Sequence, residues 1–270
     1  MKGIDVSTVQ GSINWNSVRS DGIEFAIIKA TQGRGEGVST KNLRLFTDSK
    51  FTSNIRSAAS AGLQCGVYHY FTAQNDKEAK EEAAYFIKVI KPYKRYIDLW
   101  AAVDVESEPY LSKVNSQTLT SATKTFMSAV KAAGFKPMLY TNPNYLKYRF
   151  TPGAFNSYDV WLAHWGVSKP MSVPNMQIWQ YGTDRIDGIN TVVDVNRGYF
   201  EDSIGVSKPS GAVSSGKKKY KVGDKYTIKA TDKYTNGETV PDGVVGWTCT
   251  VIRVKTDSIL LKEIYTWVKI

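Results

Sequence analysis

The sequence is poor in the residues that build disulfide frameworks and metal centres. Its 270 residues include two cysteines and two histidines. Cys65 and Cys249 fall in different predicted domains, so we expect each to be a small buried hydrophobic residue outside any disulfide framework. No apolar run approaches the roughly 18 residues of a membrane-spanning helix. The opening segment MKGIDVSTVQ has no apolar core, so we expect no ordinary secretory signal.

Acidic residues are scarce relative to basic ones. There are 35 Lys and Arg against 25 Asp and Glu, a formal net charge of +10. Residues 217–270 hold 11 of the basic residues and 6 of the acidic ones, a net charge of +5. A basic surface attracts polyanions such as nucleic acid, anionic lipids or anionic cell-wall polymers, and it also favours solubility. Charge alone does not choose among these partners.

One segment marks a domain boundary. The stretch VSKPSGAVSSG at 206–216 is rich in Ser, Gly and Pro, which is typical of a flexible linker. It predicts a larger first domain at 1–205 and a small second domain at 217–270. We find no internal repeat of the length that builds solenoid folds.

In the first domain, apolar strand-like runs alternate with helical segments. Continuous apolar strands separated by helices predict a parallel sheet buried on both faces, and eight of them favour a closed barrel. Connections after Lys136 are short, so we expect an α/β fold with an irregular (β/α)8-type barrel that lacks some helices. The predicted strands are Gly3–Val6, Phe25–Thr31, Leu63–Phe71, Trp100–Glu106, Lys136–Asn142, Val160–Trp165, Met176–Tyr181 and Val192–Val195. The predicted helices are Phe51–Ala61, Lys77–Ile90 and Ser116–Ala133.

The second domain has short strand-like runs separated by turn signals. The dipeptides Asn236-Gly237 and Asp242-Gly243 favour tight turns between strands. We therefore expect a small all-β unit of SH3-like size. The predicted strands are Lys225–Ala230, Gly246–Lys255, Ser258–Ile264 and Thr266–Ile270.

The strongest chemical signal is a pair of carboxylates in AAVDVE at 101–106. Alternate side chains of a strand share a face, so Asp104 and Glu106 point one way while Val103 and Val105 point the other. The pair closes the fourth predicted strand, and active sites of such barrels form at this end of the strands. Mutual repulsion should raise one pKa. We assign the raised pKa to Glu106 as a general acid, and expect Asp104 to stay ionised and stabilise positive charge.

Two further carboxylates fall at matching positions. Asp5 lies in GIDVS at the end of the first strand, and Asp194 lies in VVDVN on the last strand. The first and last strands of a closed barrel are neighbours, so four acids are expected to ring one cleft. A divalent-metal site built from oxygens is the alternative. It is weaker because His69 and His164 fall in aromatic strand segments and not beside these acids at ligand spacing, so we expect them to be hydrogen-bonded barrel residues.

Aromatic side chains are frequent at the predicted strand ends. Sugar rings present apolar C–H faces that pack against aromatic rings, so a cleft of acids and aromatics suits an oligosaccharide. Core packing is the competing explanation, and we expect it to hold for about half of them. We predict that Tyr68, Tyr70, Tyr140 and Trp161 line the cleft. The remaining members of the set are Phe71, Trp165, Trp179 and Tyr181.

Eight motifs over about residues 3–200 resemble glycoside hydrolase family 25, the cellosyl-type lysozymes common among phage endolysins. In chain order they are GIDVS, FAIIKAT, GVYHYF, DVE, MLYTN, VWLAHW, MQIWQYG and VVDVN. The set is specific, whereas DVE alone would not be.

The resemblance implies hydrolysis of the β-1,4 bond between N-acetylmuramic acid and N-acetylglucosamine in peptidoglycan. It implies Glu106 as proton donor, Asp104 as the second carboxylate, and Asp5 and Asp194 as supporting acids. The family is thought to retain anomeric configuration with help from the substrate's acetamido group, and Asp104 would then orient the acetamide. The resemblance implies no metal and no organic cofactor.

The second domain resembles the bacterial SH3-like wall-binding modules of endolysins, on the strength of YKVGDKYTIKA and LLKEIYTWVKI. Tyr234, Trp247 and Trp267 are the candidate wall-binding residues, and a core role is equally open for each. The basic charge favours anionic wall polymers. Holding the barrel on its polymeric substrate would raise its effective concentration there.

Alternative functions remain open. A chitinase-like barrel would carry the string D-x-x-D-x-D-x-E, which Leu99 and Ala102 break here. A non-catalytic glycan- or wall-binding protein would not require the four acids. Nucleic-acid binding is the weakest alternative, because the KKKYK run at 217–221 sits beside the linker, where a solvated charge cluster is ordinary. We expect no nucleic-acid or membrane partner, and an enzyme made in a host cytoplasm that acts at the cell wall after release.

Overall fold

The computed structural model divides the chain into two compact units, Met1–Val206 and Ser207–Ile270. The predicted linker at 206–216 lies outside the residues that the structure describes. No helix within the described ranges is long and apolar enough to cross a membrane. The described residues are 1–34, 45–200, 220–221, 223–234, 239–254, 258–261, 263 and 266–269.

Eight strands of the first unit close into a barrel, as the sequence predicts. The ring runs β1-β2-β4-β5-β6-β7-β8-β9 and returns to β1, while the two-residue β3 pairs with the end of β2. The strands are β1 (Lys2–Val6), β2 (Phe25–Gln32), β3 (Phe46–Thr47), β4 (Gln64–Tyr70), β5 (Ala101–Asp104), β6 (Pro137–Thr141), β7 (Val160–Ala163), β8 (Met176–Arg185) and β9 (Val192–Gly198).

Helices follow only some of the strands, so the barrel is irregular. The three predicted helices are present, and the last of them ends before Gly134, whose φ of 80° suits a glycine after a helix. Asparagine side chains cap the two longest helices: Asn75 accepts from Glu78 N, and Asn115 accepts from Thr118 N. The helices are α1 (Trp15–Ser20), α2 (Phe51–Ser60), α3 (Asp76–Ile90), α4 (Glu108–Leu111) and α5 (Ser116–Ala132). Shorter helical turns are Thr8–Gln10, Lys91–Tyr96 and Tyr145–Arg149.

The sheet is not parallel throughout, which corrects the sequence-based expectation. β9 pairs antiparallel with both β8 and β1. Only residues 186–191 join β8 to β9, and a parallel crossover needs a dozen or more residues. The start of β9, and not its end, therefore lies at the mouth formed by the carboxyl ends of the parallel strands.

Side chains of the barrel strands alternate between two apolar clusters. One fills the barrel interior and includes Phe25, Ala102 and Met138, and the other packs between the barrel and the helices. Val103 and Val105 belong to the outer cluster, as their predicted parity requires. Asp104 lies between these two valines and Ala102 precedes them, so both face inward.

A buried polar network joins β2 and β4 to α3. His69 Nδ1 lies 2.7 Å from Thr31 Oγ1 and His69 Nε2 lies 2.8 Å from Glu82 Oε2, while the Thr72 hydroxyl donates to Glu82 Oε1 at 2.7 Å. In the other histidine segment, His164 Nδ1 accepts from a backbone N–H at 2.9 Å. Both histidines are hydrogen-bonded as predicted. Cys65 and Cys249 are buried free thiols, also as predicted.

The described residues of the second unit form a four-stranded antiparallel sheet around a small apolar core. A strand is present in each predicted segment, in the order β10-β11-β12-β13, and the first and third are much shorter than predicted. The Asp242-Gly243 turn signal falls in the helical turn Asp242–Val244, whereas Asn236-Gly237 lies outside the described residues. The strands are β10 (Lys225–Thr227), β11 (Thr248–Val254), β12 (Ser258–Leu261) and β13 (Thr266–Lys269).

Candidate active site

The structure brings the four predicted acids together at the mouth of the barrel. Asp5 on β1 is the direct register partner of Asp194 on β9, because β9 runs antiparallel. Asp104 is the last residue of β5, and Glu106 lies two residues beyond it. Asp5 and Asp104 are 7% and 5% exposed, while Glu106 and Asp194 are half-buried. Glu106 is thus the outer member of the Asp104–Glu106 pair, as expected.

Asp5 and Asp194 are cross-strand neighbours, so each carboxyl affects the titration of the other. Burial is the main cause that raises the pKa of Asp194, and its interaction with Asp5 acts in the opposite direction. Burial, reinforced by the charge of Asp194, raises the pKa of Asp5 to about 7, although hydrogen bonds from Asn196 and Gln180 act in the opposite direction. At neutral pH this pair therefore carries less negative charge than two free carboxylates.

The raised pKa of Asp5 predicts a pH-dependent stabilisation by Asp5→Asn. An acid whose pKa rises on folding from 3.8 to about 7 costs no stability below pH 3.8, and its cost grows as pH rises to about 7. Asn mimics the protonated carboxyl and has no charge to bury. We expect urea unfolding to show equal stability near pH 4 and a gain of up to about 4 kcal/mol at pH 8.

An exposed acid on β8 provides the control for this measurement. Asp184→Asn removes the same charge from the surface and should show no comparable difference between the two pH values. A gain for Asp5→Asn that is the same at pH 4 and pH 8 would contradict the assignment.

Burial also acts on the Asp104–Glu106 pair. It is the main cause that raises the pKa of Asp104 well above its usual range, and the charge of Glu106 adds to it. Burial likewise raises the pKa of Glu106, whereas an interaction with the Tyr140 hydroxyl lowers it and the charge of Asp194 raises it further. The charge of Lys29 on β2 lowers the pKa of both Asp104 and Glu106. Repulsion between the two acids, which we expected to be the cause of the raised pKa, is the smaller effect on Asp104. Enclosure within the barrel is the larger one. Burial therefore makes ionisation of Asp104 less favourable than that of an ordinary carboxyl, and its role as an ionised stabiliser stays a prediction.

Two buried amides hold Asp5 in place, and sequence reasoning did not single them out. Gln180 Nε2 and Asn196 Nδ2 both donate to Asp5 Oδ2, at 3.0 and 2.7 Å. Asn196 Oδ1 in turn accepts from the indole of Trp161 at 2.8 Å. The signal available in the sequence was a polar residue on an apolar strand, as in MQIWQYG and VVDVN, and the same applies to Lys29 in FAIIKAT.

The four predicted cleft aromatics differ in accessibility. Tyr68 and Tyr70 are half-buried, and the ammonium of Lys29 lies 5.1 Å from the ring centre of Tyr70. Tyr140 is 7% exposed and its ring packs edge-on against Trp161 at 4.4 Å. Trp161 is only 1% exposed, which corrects its assignment as a ligand contact. The interior of an eight-stranded barrel is just wide enough for side chains to fill, so the inward-pointing indole is packed.

Trp165 is the most exposed of the eight strand-end aromatics predicted from the sequence. Its side chain is 49% exposed, just beyond the end of β7, and its indole N–H donates to Gln180 Oε1 at 2.9 Å. It belongs to the strand-end aromatics recognised in the sequence, but it is not one of the four residues predicted to line the cleft. A half-exposed ring that is held by a buried amide offers a fixed apolar face.

The three candidate wall-binding aromatics of the second unit also differ. Tyr234 is half-buried and packs against the apolar core of its unit. Trp247 is 50% exposed. Trp267 is on β13, and its side chain lies outside what the structure describes.

Clustered carboxyls whose pKa values are raised by burial, within an aromatic-lined mouth, are typical of enzymes that cleave glycosidic bonds. The comparisons with known proteins agree with this class. A family model described as glycosyl hydrolases family 25 matches residues 4–189. Lysozyme M1 of Streptomyces globisporus is 31% identical over 210 residues, which span 73% of this chain and 67% of that protein. The lysozyme of Lactococcus phage mv1 is 32% identical over 149 residues, 54% of this chain and 67% of its own length.

A solved structure shows the same fold. The bacterial lysozyme from Streptomyces coelicolor aligns with a TM-score of 0.62 and 28% identity, over 75% of this chain and 94% of that one. The chain belongs to glycosyl hydrolases family 25. It is a glycoside hydrolase of the lysozyme type.

Proposed function

We propose that the protein is an N-acetylmuramidase that hydrolyses the β-1,4 bond between N-acetylmuramic acid and N-acetylglucosamine in peptidoglycan. The observation that carries the proposal is the position of Glu106, half-buried at the mouth and directly above the buried Asp104. Burial raises the pKa of Glu106, which favours the protonated carboxyl that a general acid needs in order to supply a proton to the leaving sugar oxygen.

Asp104 is suited to orient the acetamido group of the substrate. Its Oδ1 is buried and accepts no hydrogen bond from the described residues. An acetamide N–H supplied there would stabilise the ionised form of Asp104, because a hydrogen bond donated to a carboxylate lowers its pKa. When substrate is bound, a proton held by the Asp104–Glu106 pair would then rest on Glu106. The acetamide oxygen, held in this way, would attack the anomeric carbon while the glycosidic bond breaks and Glu106 gives its proton to the leaving oxygen. Water, deprotonated by Glu106, would then attack the same carbon and reopen the acetamide ring, so that two displacements give net retention.

The rim of the mouth favours a sugar polymer as substrate. Trp165 offers a fixed, half-exposed indole, and Tyr68 and Tyr70 lie half-buried at the same mouth. Carbohydrate C–H faces pack well against such rings. The chitinase-like alternative has no comparable support, since no observation favours it over the muramidase.

A product assay tests the proposed function. Purified protein acting on bacterial walls is expected to release reducing sugar ends without new free amino groups, because it cleaves glycosidic and not amide bonds. Chitin of the same particle size serves as the competing substrate. New amino groups without reducing ends, or faster hydrolysis of chitin than of peptidoglycan, would overturn the proposal.

For the second unit we propose an SH3-like wall-binding role. Its all-β sheet, the exposed Trp247 and the net charge of +5 over residues 217–270 support contact with anionic wall polymers. Wall sedimentation of the full chain should weaken as salt is raised, and should weaken further in Trp247→Ala. Retention that neither salt nor this variant changes would argue against the role.

The similarity to a phage lysozyme supports a role as an endolysin. In this proposal the enzyme accumulates in the cytoplasm of a host and reaches the wall after the membrane is permeabilised. Cells that express it are expected to lyse only when a membrane-permeabilising agent is added. Lysis without such an agent would contradict the proposal.

A further inference from the structure

The strand β6 holds the chain just before Glu106. Val105 donates its N–H to Tyr140 O at 3.0 Å, and its carbonyl accepts from the Thr141 hydroxyl at 2.9 Å. Beyond Glu106 the chain leaves the sheet and enters α4, the four residues Glu108–Leu111. Because so short a helix is not stable by itself, the position of the Glu106 carboxyl depends on the contacts that hold α4.

The guanidinium of Arg149 binds the end of α4. Its Nη2 donates to the backbone oxygens of Leu111 and Val114, the second at 3.2 Å. These carbonyls lie at and just after the C-terminal end of the helix, where backbone oxygens have no partner within the helix. Leu111 in turn donates its N–H to Ser107 O at 2.8 Å. Two hydrogen bonds therefore connect Arg149 to the residue that directly follows Glu106.

The turn that carries Arg149 has an unusual backbone. Residues Tyr145–Arg149 form a single π-type turn, in which Phe150 N donates to Tyr145 O at 3.0 Å, five residues back. Asn142 Oδ1 accepts from Tyr145 N at 3.1 Å and fixes the start of the turn directly after β6. Turns of this type are rare and occur often at functional sites. The strand β6 therefore supports the segment of the acid twice, through strand pairing and through the turn that follows it.

We propose that Arg149 is a positioning residue whose guanidinium fixes α4 and thereby holds the Glu106 carboxyl in line with the leaving sugar oxygen. Arginine suits this task because its planar guanidinium presents several N–H donors in a rigid arrangement. Proton transfer depends steeply on geometry, and a misplacement of about 1 Å costs roughly 10²-fold in rate. The inference rests on the proposed function, because it takes Glu106 as the general acid.

Arg19 in the last turn of α1 provides a matched control. Its Nη1 donates to Ile23 O at 3.0 Å, so it too binds a backbone oxygen just after a short helix. Ile23 lies just before β2, at the end of the barrel opposite the mouth. Arg149→Met and Arg19→Met each remove one guanidinium and its carbonyl contacts, but only the first affects the segment that carries Glu106.

The experiment compares two substrates that differ in their need for a proton. One is a soluble peptidoglycan fragment, whose leaving sugar oxygen must be protonated, and the other is the dinitrophenyl glycoside of the disaccharide N-acetylglucosaminyl-N-acetylmuramic acid, whose phenolate leaves without a proton. In Arg149→Met, kcat/KM is expected to fall by about 10²-fold on the fragment and by no more than about threefold on the dinitrophenyl glycoside. Arg19→Met should stay within a few-fold of the wild type on both. Equal losses on the two substrates in Arg149→Met would overturn the inference, because they would show general damage to the cleft.

Amide hydrogen exchange of the free, full-length protein tests the same contact without substrate. The N–H groups of Leu111 and Val114 are expected to exchange about tenfold faster in Arg149→Met and at wild-type rates in Arg19→Met. Arg149→Lys covers the case in which Arg149→Met does not fold. It keeps the charge but not the planar donors, so we expect a smaller loss on the fragment with the same dependence on the leaving group. An Arg149→Lys enzyme that is unchanged in both activity and exchange would also overturn the inference.

The two proposals fail separately. If the wild type cleaves neither substrate, the muramidase proposal fails, and hydrogen exchange still decides whether Arg149 holds α4. If the wild type is a normal muramidase and Arg149→Met keeps full activity on the fragment, the inference about Arg149 fails and the proposed function stands.

Discussion

Glu106→Gln is expected to lower kcat/KM on peptidoglycan by about 10³- to 10⁴-fold, at the upper end of what a positioned general acid contributes. Gln has nearly the shape of Glu but no proton to give to the leaving oxygen. Because Glu106 is half-buried and not part of the apolar core, the fold should be preserved. Reducing-end release at several pH values, together with the thermal unfolding midpoint, measures both halves of the prediction.

A nearby acid serves as the control for this variant. Glu108 is two residues further along, exposed on α4, and outside the carboxyl cluster. Glu108→Gln removes the same charge and should keep activity within a few-fold of the wild type. If Glu106→Gln retained substantial turnover, or if both variants lost activity equally, the general acid would have to be sought elsewhere.

The sequence predicts the barrel and its mouth well because both follow from strand periodicity. Alternation in AAVDVE is enough to send Val103 and Val105 outward and Asp104 inward, and the structure agrees. Closure of the barrel makes the first and last strands neighbours, and the antiparallel direction of β9, which the sequence analysis did not predict, sets Asp194 beside Asp5. These are consequences of backbone geometry, which a pattern of apolar residues encodes directly.

What the sequence could not supply depends on contacts between distant segments. Gln180 and Asn196 are ordinary polar residues until folding places both amides against Asp5, 175 and 191 positions away. The burial of Trp161 depends on how completely its neighbours fill the barrel. Burial outweighs repulsion as the cause of the raised pKa of Asp104. This too could not be predicted, because strand parity does not show how deeply the folded barrel encloses the side chain.

Asp104→Asn is expected to lower kcat by about 10²- to 10³-fold with little change in KM, the usual cost of removing one electrostatic stabiliser from an active site. Asn keeps an oxygen that can accept an acetamide N–H, so binding should survive. It has no negative charge to offset the positive charge that develops on the sugar and acetamide during bond cleavage. Steady-state kinetics on a soluble peptidoglycan fragment separates these two effects.

Stability distinguishes a catalytic defect in Asp104→Asn from simple damage to the fold. Burial raises the pKa of Asp104, so the wild-type carboxyl costs stability as pH rises above the value at which it ionises in the unfolded chain, and a neutral Asn does not. The variant should therefore be slower than the wild type and yet more resistant to urea at pH 8. Asp5→Asn shares the gain in stability but removes a carboxyl on β1, which β2 and β4 separate from the β5 strand that carries Asp104. A fully active Asp104→Asn would show that Glu106 works without a second carboxylate, and the paired mechanism would be wrong.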